Sequence, residues 1–248
     1  MMLVDAEGTF VTAREHPTLL LVETALEGDA TLRLTFPGTQ ATTRLSLAPV
    51  GGARTAVTVW DDRVEAWTGF APEAEAMFTE YLSFPVRLAY LGDDDHRPVD
   101  RRYAVAADDE VGFADGFPYL ATVVASLHAL GAGIPMERFR PNVVLDGLPA
   151  FAEDHFAGFR VGDVEFQSVK PCARCPMINS FSLPEHTGEI APYWGAAPLT
   201  RVAAVHPRVV GTKRSAVFGA NLVATAASVG ASVAVGGRCA PFGGATSP

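Results

Sequence analysis

Two cysteines three positions apart, Cys172 and Cys175, stand in the stretch Lys170-Pro171-Cys172-Ala173-Arg174-Cys175. A Cys-x-x-Cys of this kind admits four readings: half a zinc site, a redox dithiol, a loop presenting one thiolate to a metal, or two inert buried thiols. Zinc needs two more ligands, and only Cys239 and six scattered histidines remain, none in a second paired motif. A thioredoxin-like dithiol opens a helix inside a βαβ unit, whereas here Pro176, Asn179 and Ser180 follow and strand-like segments surround the pair. Local charge favours the single thiolate. Lys170 and Arg174 bracket the pair, so cations that draw a thiol toward thiolate are close in sequence, and Arg138 and Arg140 come just before the same sheet. Guanidinium groups also suit an anionic, phosphate-bearing ligand, which they grip in a bidentate fork. Residues 138–175 hold five basic and five acidic side chains against a whole-chain charge of −9, so the region is less acidic than the remainder.

Other polar groups read more plainly. Asp61-Asp62 and Asp93-Asp94-Asp95 are adjacent aspartates in polar turns, solvated rather than metal-binding. Glu153-Asp154 has the composition of a catalytic carboxylate pair, but neighbours on a strand face opposite sides, and a helix-start or turn role fits better. His186, just past the cysteine loop, is a candidate proton donor, with a surface role the simpler reading. Trp60 and Trp67 flank a hairpin and read as core or barrel rim.

These residues must be positioned by a chain of 248 residues, 48% hydrophobic and 19% charged, which can bury a real core. The first ninety residues read as a β meander. Residues 1–4 and 9–13 flank the turn Asp5-Ala6-Glu7-Gly8, and strand-like runs follow at 18–24, 30–36, 42–48, 55–60 and 64–67. Short strands at this spacing point to a closed or nearly closed sheet. Pro72 opens a helix over 72–82, where Ala74, Met77, Phe78, Tyr81 and Leu82 recur at helical intervals. The acidic segment 92–102 reads as a linker, because like charges repel and Pro98 disfavours regular structure. Beyond it a helix is expected over 120–130, ending at Gly131 and Gly133, and then strands at 142–145, 159–161, 164–169, 208–210, 216–223 and 231–235. The Gly/Ala/Ser/Pro-rich tail from Gly236 is expected to be loose. The fold class is therefore mainly β with two or three helices, not an alternating βαβ chain.

The net charge of −9 argues against a general nucleic-acid binder. Three cysteines make no disulfide framework and fit a reducing, cytoplasmic compartment. No basic-then-apolar signal opens the chain, and its longest apolar stretch, 216–234, is broken by Asn221, Thr225, Ser228 and Gly230, so a soluble protein with no membrane partner is expected.

An ordered series of motifs then resembles a known family. Arg138-Phe139-Arg140-Pro141-Asn142, Ala152-Glu153-Asp154, Val161-Gly162-Asp163 and Pro171-Cys172-Ala173-Arg174-Cys175 resemble the core of the MOSC domain, in the branch of the mitochondrial amidoxime-reducing component and its bacterial relatives. Phe113-Ala114-Asp115-Gly116-Phe117-Pro118, Ala125-Ser126-Leu127, Thr187-Gly188-Glu189 and Phe218-Gly219-Ala220-Asn221-Leu222 are similar to further family elements in the family's order. Leu3-Val4-Asp5, Gly8, Thr12-Ala13-Arg14-Glu15 and Pro17 resemble the β-barrel domain that precedes MOSC in this branch. The resemblance implies a MOSC β-barrel fold with peripheral helices behind a smaller N-terminal β-rich domain. It divides the chain into residues 1–90, residues 91–240 and a flexible tail at 241–248.

The resemblance also implies chemistry. Cys175, the second cysteine of the pair, falls at the position that ligates molybdenum in a molybdenum cofactor, Mo-molybdopterin, and is thereby the implied catalytic residue. Ala173 and Arg174 fall where the family holds the cofactor, Arg140 and Asn142 where it grips the pterin and phosphate, and Arg14 at a further phosphate contact. Asp115, Gly116 and Asn221 fall at other cofactor-lining positions, and Cys172 is not the ligand. The implied activity is an oxidoreductase that removes oxygen from small N-hydroxylated substrates such as amidoximes and hydroxylamines. A plant-type iron–sulfur cluster needs four cysteines, so the electrons are expected from a separate flavin or iron–sulfur protein. The alternative is a non-catalytic cofactor or sulfur carrier, since MOSC domains also accompany cofactor sulfurases. That reading is weakened by the lack of an aminotransferase-like domain, and pyridoxal phosphate binding is implied at the superfamily level only. The chain departs from the family in three places. A lysine- and serine-bearing strand expected upstream of Arg14 is missing, the stretch from Cys175 to Thr187 is longer, and Gly236-Gly237 stands where Gly-Asp is usual.

Overall fold

The computed structural model describes residues 1–38, 40–131, 133–182, 190–192 and 198–243. His186, Thr187-Gly188-Glu189 and the end of the tail lie outside the described residues. Backbone contacts divide the chain into two units: Met1–Arg97 with Ser180–Pro192, and Pro98–Asn179 with Tyr193–Pro248.

The first unit is built from β1 (Met2–Val4), β2 (Glu23–Glu27), β3 (Thr31–Thr35), β4 (Thr42–Ser46), β5 (Ala53–Val59), β6 (Asp62–Thr68), α1 (Pro72–Leu82) and β7 (Arg87–Tyr90). They pair as a four-stranded sheet β1-β7-β6-β5 and a three-stranded sheet β2-β3-β4. Alternation decides the facing: in β4, Thr43 and Leu45 are buried while Thr42, Arg44 and Ser46 are exposed. Helix α1 buries Ala74 and Phe78. Phe78 meets Phe36 edge-on at 4.9 Å, a burial that contributes about 1.5–3 kcal/mol. Glu75 fixes the helix to its sheet, its carboxylate accepting the Leu88 N–H at 3.1 Å and the Gly69 N–H at 3.2 Å.

The second unit follows with β8 (Tyr119–Val123), α2 (Val124–Leu130), β9 (Val143–Leu145), β10 (Gly158–Val161) and β11 (Val164–Ala173). The chain then makes the hairpin of β12 (Ser180–Ser182) and β13 (Ile190–Pro192), which belongs with the first unit, before α3 (Pro198–Val205), β14 (Pro207–Val210), β15 (Lys213–Ala224) and β16 (Cys239–Phe242). The main sheet runs β16-β10-β11-β15-β8-β9, with β14 also on β15. Within this sheet β8 and β9 pair in parallel and the other described pairs are antiparallel. Phe159, Phe166, Leu222, Val123 and Leu145 make one core cluster, and Phe139, Phe218, Ile178, Leu130 and Val202 another. The chain is mainly β, as expected, with three α-helices among the described residues.

Several local expectations are corrected. Residues 9–13 form no strand: only Thr9 and Phe10 make isolated bridges. The apolar run 18–24 is split, because Pro17 starts a 3-10 turn over Pro17–Leu21 before β2 begins. The helix expected over 120–130 is β8 followed by α2, and the β-branched pair Thr122-Val123 lies in the strand. The boundary between the two units falls within the expected linker 92–102, but the first part of that segment, 92–97, is pinned. Asp95 is buried, accepts the Gly92 N–H at 2.9 Å and pairs with Arg54, while Arg97 pairs with Asp62 at 2.8 Å. Residues 231–235 are exposed and form no strand, whereas Cys239–Phe242, expected as loose tail, pairs with β10.

Candidate cofactor site

The frame of the site is a row across four neighbouring strands. Lys170 on β11 stands opposite Asn221 on β15, and Asn221 opposite Leu120 on β8. Leu120 exchanges two hydrogen bonds with Asn142, at the foot of β9: the Asn142 N–H donates to the Leu120 carbonyl, and the Leu120 N–H to Asn142 Oδ1, both at 2.9 Å. Beyond this row the register of β11 and β15 slips between Ser168 and Lys170 and again between Pro171 and Ala173. Such bulges re-aim side chains. Gly219 makes the second slip possible: its φ is +88°, and a Cβ there would stand 2.7 Å from the Ala121 carbonyl oxygen.

The cysteines follow where β11 runs out. Cys172, Arg174 and Cys175 are half-buried and Ala173 is exposed. The loop is held at several points. The Arg174 N–H donates to the Ala216 carbonyl at 2.8 Å, and the Ile178 N–H to the Cys175 carbonyl at 3.3 Å. The Arg174 guanidinium donates through Nη1 to Cys172 Sγ at 3.0 Å and through Nη2 to the Phe139 carbonyl at 2.9 Å. Its Nε is buried with no hydrogen-bond partner. The sequence placed a cation near the pair without saying which sulfur it meets; here it meets Cys172.

The other predicted residues divide. Arg140 follows Phe139 in the left-handed conformation, φ 50°, with its side chain exposed. Asp115 is exposed and Gly116 half-buried in the loop that feeds β8. That loop is tied toward the row by Phe117, which meets the Tyr103 ring at 5.9 Å, while Lys170 Nζ stands 4.5 Å from the same ring. Arg14 belongs to the first unit, where its guanidinium lies 4.4 Å from the Trp60 ring. The structure adds Tyr103 and sets Lys170 in the row; the register that pairs Lys170 with Asn221 has no signature in the local sequence. Arg138, counted as a local cation, is buried and donates to the Ile178 carbonyl at 3.1 Å.

Glu153 and Asp154 form a 3-10 turn and serve the scaffold. Glu153 accepts Ser126 Oγ–H at 2.8 Å, and burial pushes its carboxyl pKa up. Asp154 pairs with His206 at 2.6 Å. Cys239 lies on β16 opposite Val161, and burial raises its thiol pKa. Among the described residues no three His, Cys, Asp or Glu side chains gather as a metal-ligand set, so the zinc reading finds no partners for the cysteine pair there. Also among the described residues, no helix is long and apolar enough to cross a membrane.

The cofactor expected from the resemblance meets a compatible set of groups: a thiol at a strand end, a buried guanidinium nitrogen lacking an acceptor, and the exposed Arg140 next in the chain to Phe139, whose carbonyl Arg174 bonds. Comparison with known proteins gives the family. The MOSC domain matches residues 108–236, more than half of the chain, and the MOSC N-terminal beta barrel domain matches residues 1–85. The chain is 29% identical to human mitochondrial amidoxime-reducing component 1 over 182 residues, 70% of this chain and 53% of that protein. It is 27% identical to the Danio rerio protein of the same name over 187 residues, 70% of this chain and 55% of that one. It thus spans about half the length of these relatives. A molybdenum cofactor sulfurase of Drosophila grimshawi is 27% identical over 201 residues, 77% of this chain and 25% of that protein. With both domains matched in order, the chain belongs to the MOSC family and carries the MOSC N-terminal beta barrel domain ahead of its MOSC domain.

Proposed function

We propose that this chain binds a molybdenum cofactor through Cys175 and reduces small N-hydroxylated compounds with electrons from a separate flavin or iron–sulfur protein. When bound, the cofactor supplies the two-electron chemistry by which an amidoxime, two electrons and two protons become an amidine and water. The observation that carries the reading is the cysteine loop at the end of β11, where Cys175 directly follows Arg174 and its unpartnered buried Nε. In this reading the Cys175 thiolate holds the metal, and the soft donor suits it. Arg174 and the backbone of Ala173 border the ligand, and Arg140 supplies the charged fork for phosphate. Asn142 uses its Oδ1 on Leu120, which leaves its amide hydrogens to donate. Asn221 stands in the same row. Gly116 presents open space, with no atom within 4 Å of where a Cβ would be, and completes the set with Asp115. Arg14 joins by the resemblance alone.

The test is Cys175→Ser, made in a host that synthesises the cofactor. It is expected to lose bound molybdenum and N-reduction while its circular dichroism matches the parent; a variant that stays active and metal-loaded sinks the assignment. The similarity to cofactor sulfurases supports a second reading, a non-catalytic carrier. Molybdenum retained without reduction of any N-hydroxylated substrate, given a competent electron donor, would favour it.

A further inference from the structure

Arg138 has no role in the reading above, yet it is 6% exposed, on a 3-10 turn formed by Met136–Phe139. A buried guanidinium costs several kcal/mol of desolvation unless its donors are used, and its use here is specific. Arg138 reaches the Ile178 carbonyl, and the Ile178 N–H reaches the Cys175 carbonyl. In the opposite direction Arg174 reaches the Phe139 carbonyl. Consecutive residues on one segment are thus tied to both sides of Cys175 by an exchange of guanidinium bonds. The segment itself is anchored, because Phe139 is fully buried and stacks on Phe218 of β15 at 4.0 Å. Arg140 follows Phe139 directly in the chain, and Asn142 comes two residues later.

We propose that Arg138 is a positioning residue, which with Arg174 clasps the Cys175 loop to the segment bearing Arg140 and Asn142. The inference rests on the cofactor reading of these residues: the clasp holds the metal ligand and the phosphate grip in one fixed relation. A group that only stabilised the fold would, when removed, loosen the whole second unit. A clasp, when removed, loosens the loop.

The test uses the full chain prepared without cofactor, treated with iodoacetamide, with alkylation of Cys172, Cys175 and Cys239 followed by mass spectrometry. Loss of a charged hydrogen bond is expected to raise local opening, so that Arg138→Gln alkylates Cys175 about five- to thirtyfold faster relative to Cys239. Arg138→Lys, which keeps a single charged donor, is expected to fall between that variant and the parent. Ser126→Ala serves as the control: it loses bonds to Glu153 and Phe151 away from the loop. It is expected to lower the melting temperature with an unchanged Cys175 to Cys239 ratio. In the cofactor-producing host, Arg138→Gln is further expected to retain less molybdenum than Ser126→Ala. An unchanged Cys175 rate in Arg138→Gln, or an equal rise at all three thiols, overturns the proposal. Should the glutamine variant not fold, Arg138→Lys decides: a selective rise at Cys175 supports the clasp, and the parent's rate refutes it. The alkylation readout needs no cofactor, so failure of the clasp is distinguishable from failure of metal binding by Cys175.

Discussion

Cys172 and Cys175 differ in what the fold does with their sulfur atoms. Cys172 accepts a guanidinium hydrogen bond at 3.0 Å, whereas no hydrogen bond reaches the Cys175 thiol among the described residues. Cys172→Ala is therefore expected to lose about 0.5–1.5 kcal/mol of stability while keeping its molybdenum and most of its activity, in contrast to Cys175→Ser. Molybdenum analysis and denaturant melts of both variants check this; equal loss in the two would return a two-thiol mechanism to consideration. Glu153 carries a second prediction. Burial raises its folded pKa, so the folded chain holds this proton more tightly than the unfolded chain. The resulting stability is present at low pH and is lost as pH rises through the folded value. Glu153→Gln, which cannot ionise, is expected to show a shallower fall in melting temperature than the parent as pH is raised above the ordinary carboxylate range. A steeper fall in the variant would contradict the assignment.

The bulged pair β11 and β15 is the element on which the site depends. Gly219→Ala would place a methyl group 2.7 Å from the Ala121 carbonyl oxygen at a φ of +88°. The expected cost is about 2–4 kcal/mol, with a parallel loss of molybdenum, because the slip opposite Pro171–Ala173 aims the cysteine loop. Thermal melts and metal content measure both effects, and full metal occupancy in a destabilised variant would separate the bulge from the site. At this scale sequence patterns were informative where one face of an element is buried. The alternation of β4 and the helical spacing of α1 are plain in the residues. They misled where composition mimics another state. Ser232-Val233-Ala234-Val235 alternates like a strand, but Val233 and Val235 are exposed and pair with nothing in the sheet. Cys239–Phe242 sits in glycine-rich surroundings and is nonetheless a paired edge strand. The ordered motifs around Cys175 pointed to the loop. The burial of Arg138 and the meeting of Lys170 with Asn221 depend on register between distant segments, which no local pattern encodes.

For the whole molecule, ion pairs shape the stretch where the first unit gives way to the second. Arg97 is 3% exposed and pairs with Asp62, so Arg97→Gln leaves a carboxylate without its partner. A loss of about 3–5 kcal/mol is the ceiling for breaking a buried pair. Asp62 is half-exposed, so the expected loss is smaller, about 1–2 kcal/mol. A denaturant melt of the variant would measure it, and no change would show the pair to be dispensable. The hairpin β12–β13 has a different consequence. It belongs to the first unit but lies in the chain after the cysteine loop, with the second unit on either side of it. A ribosome emits residues in order, so the N-terminal unit cannot finish assembling when residue 97 emerges. It must wait, short of two strands, until residue 192 has emerged, and by then the segment carrying Cys175, which precedes the hairpin in the chain, has emerged as well. Cutting the gene after codon 97 would thus yield an unfinished module rather than an autonomous one.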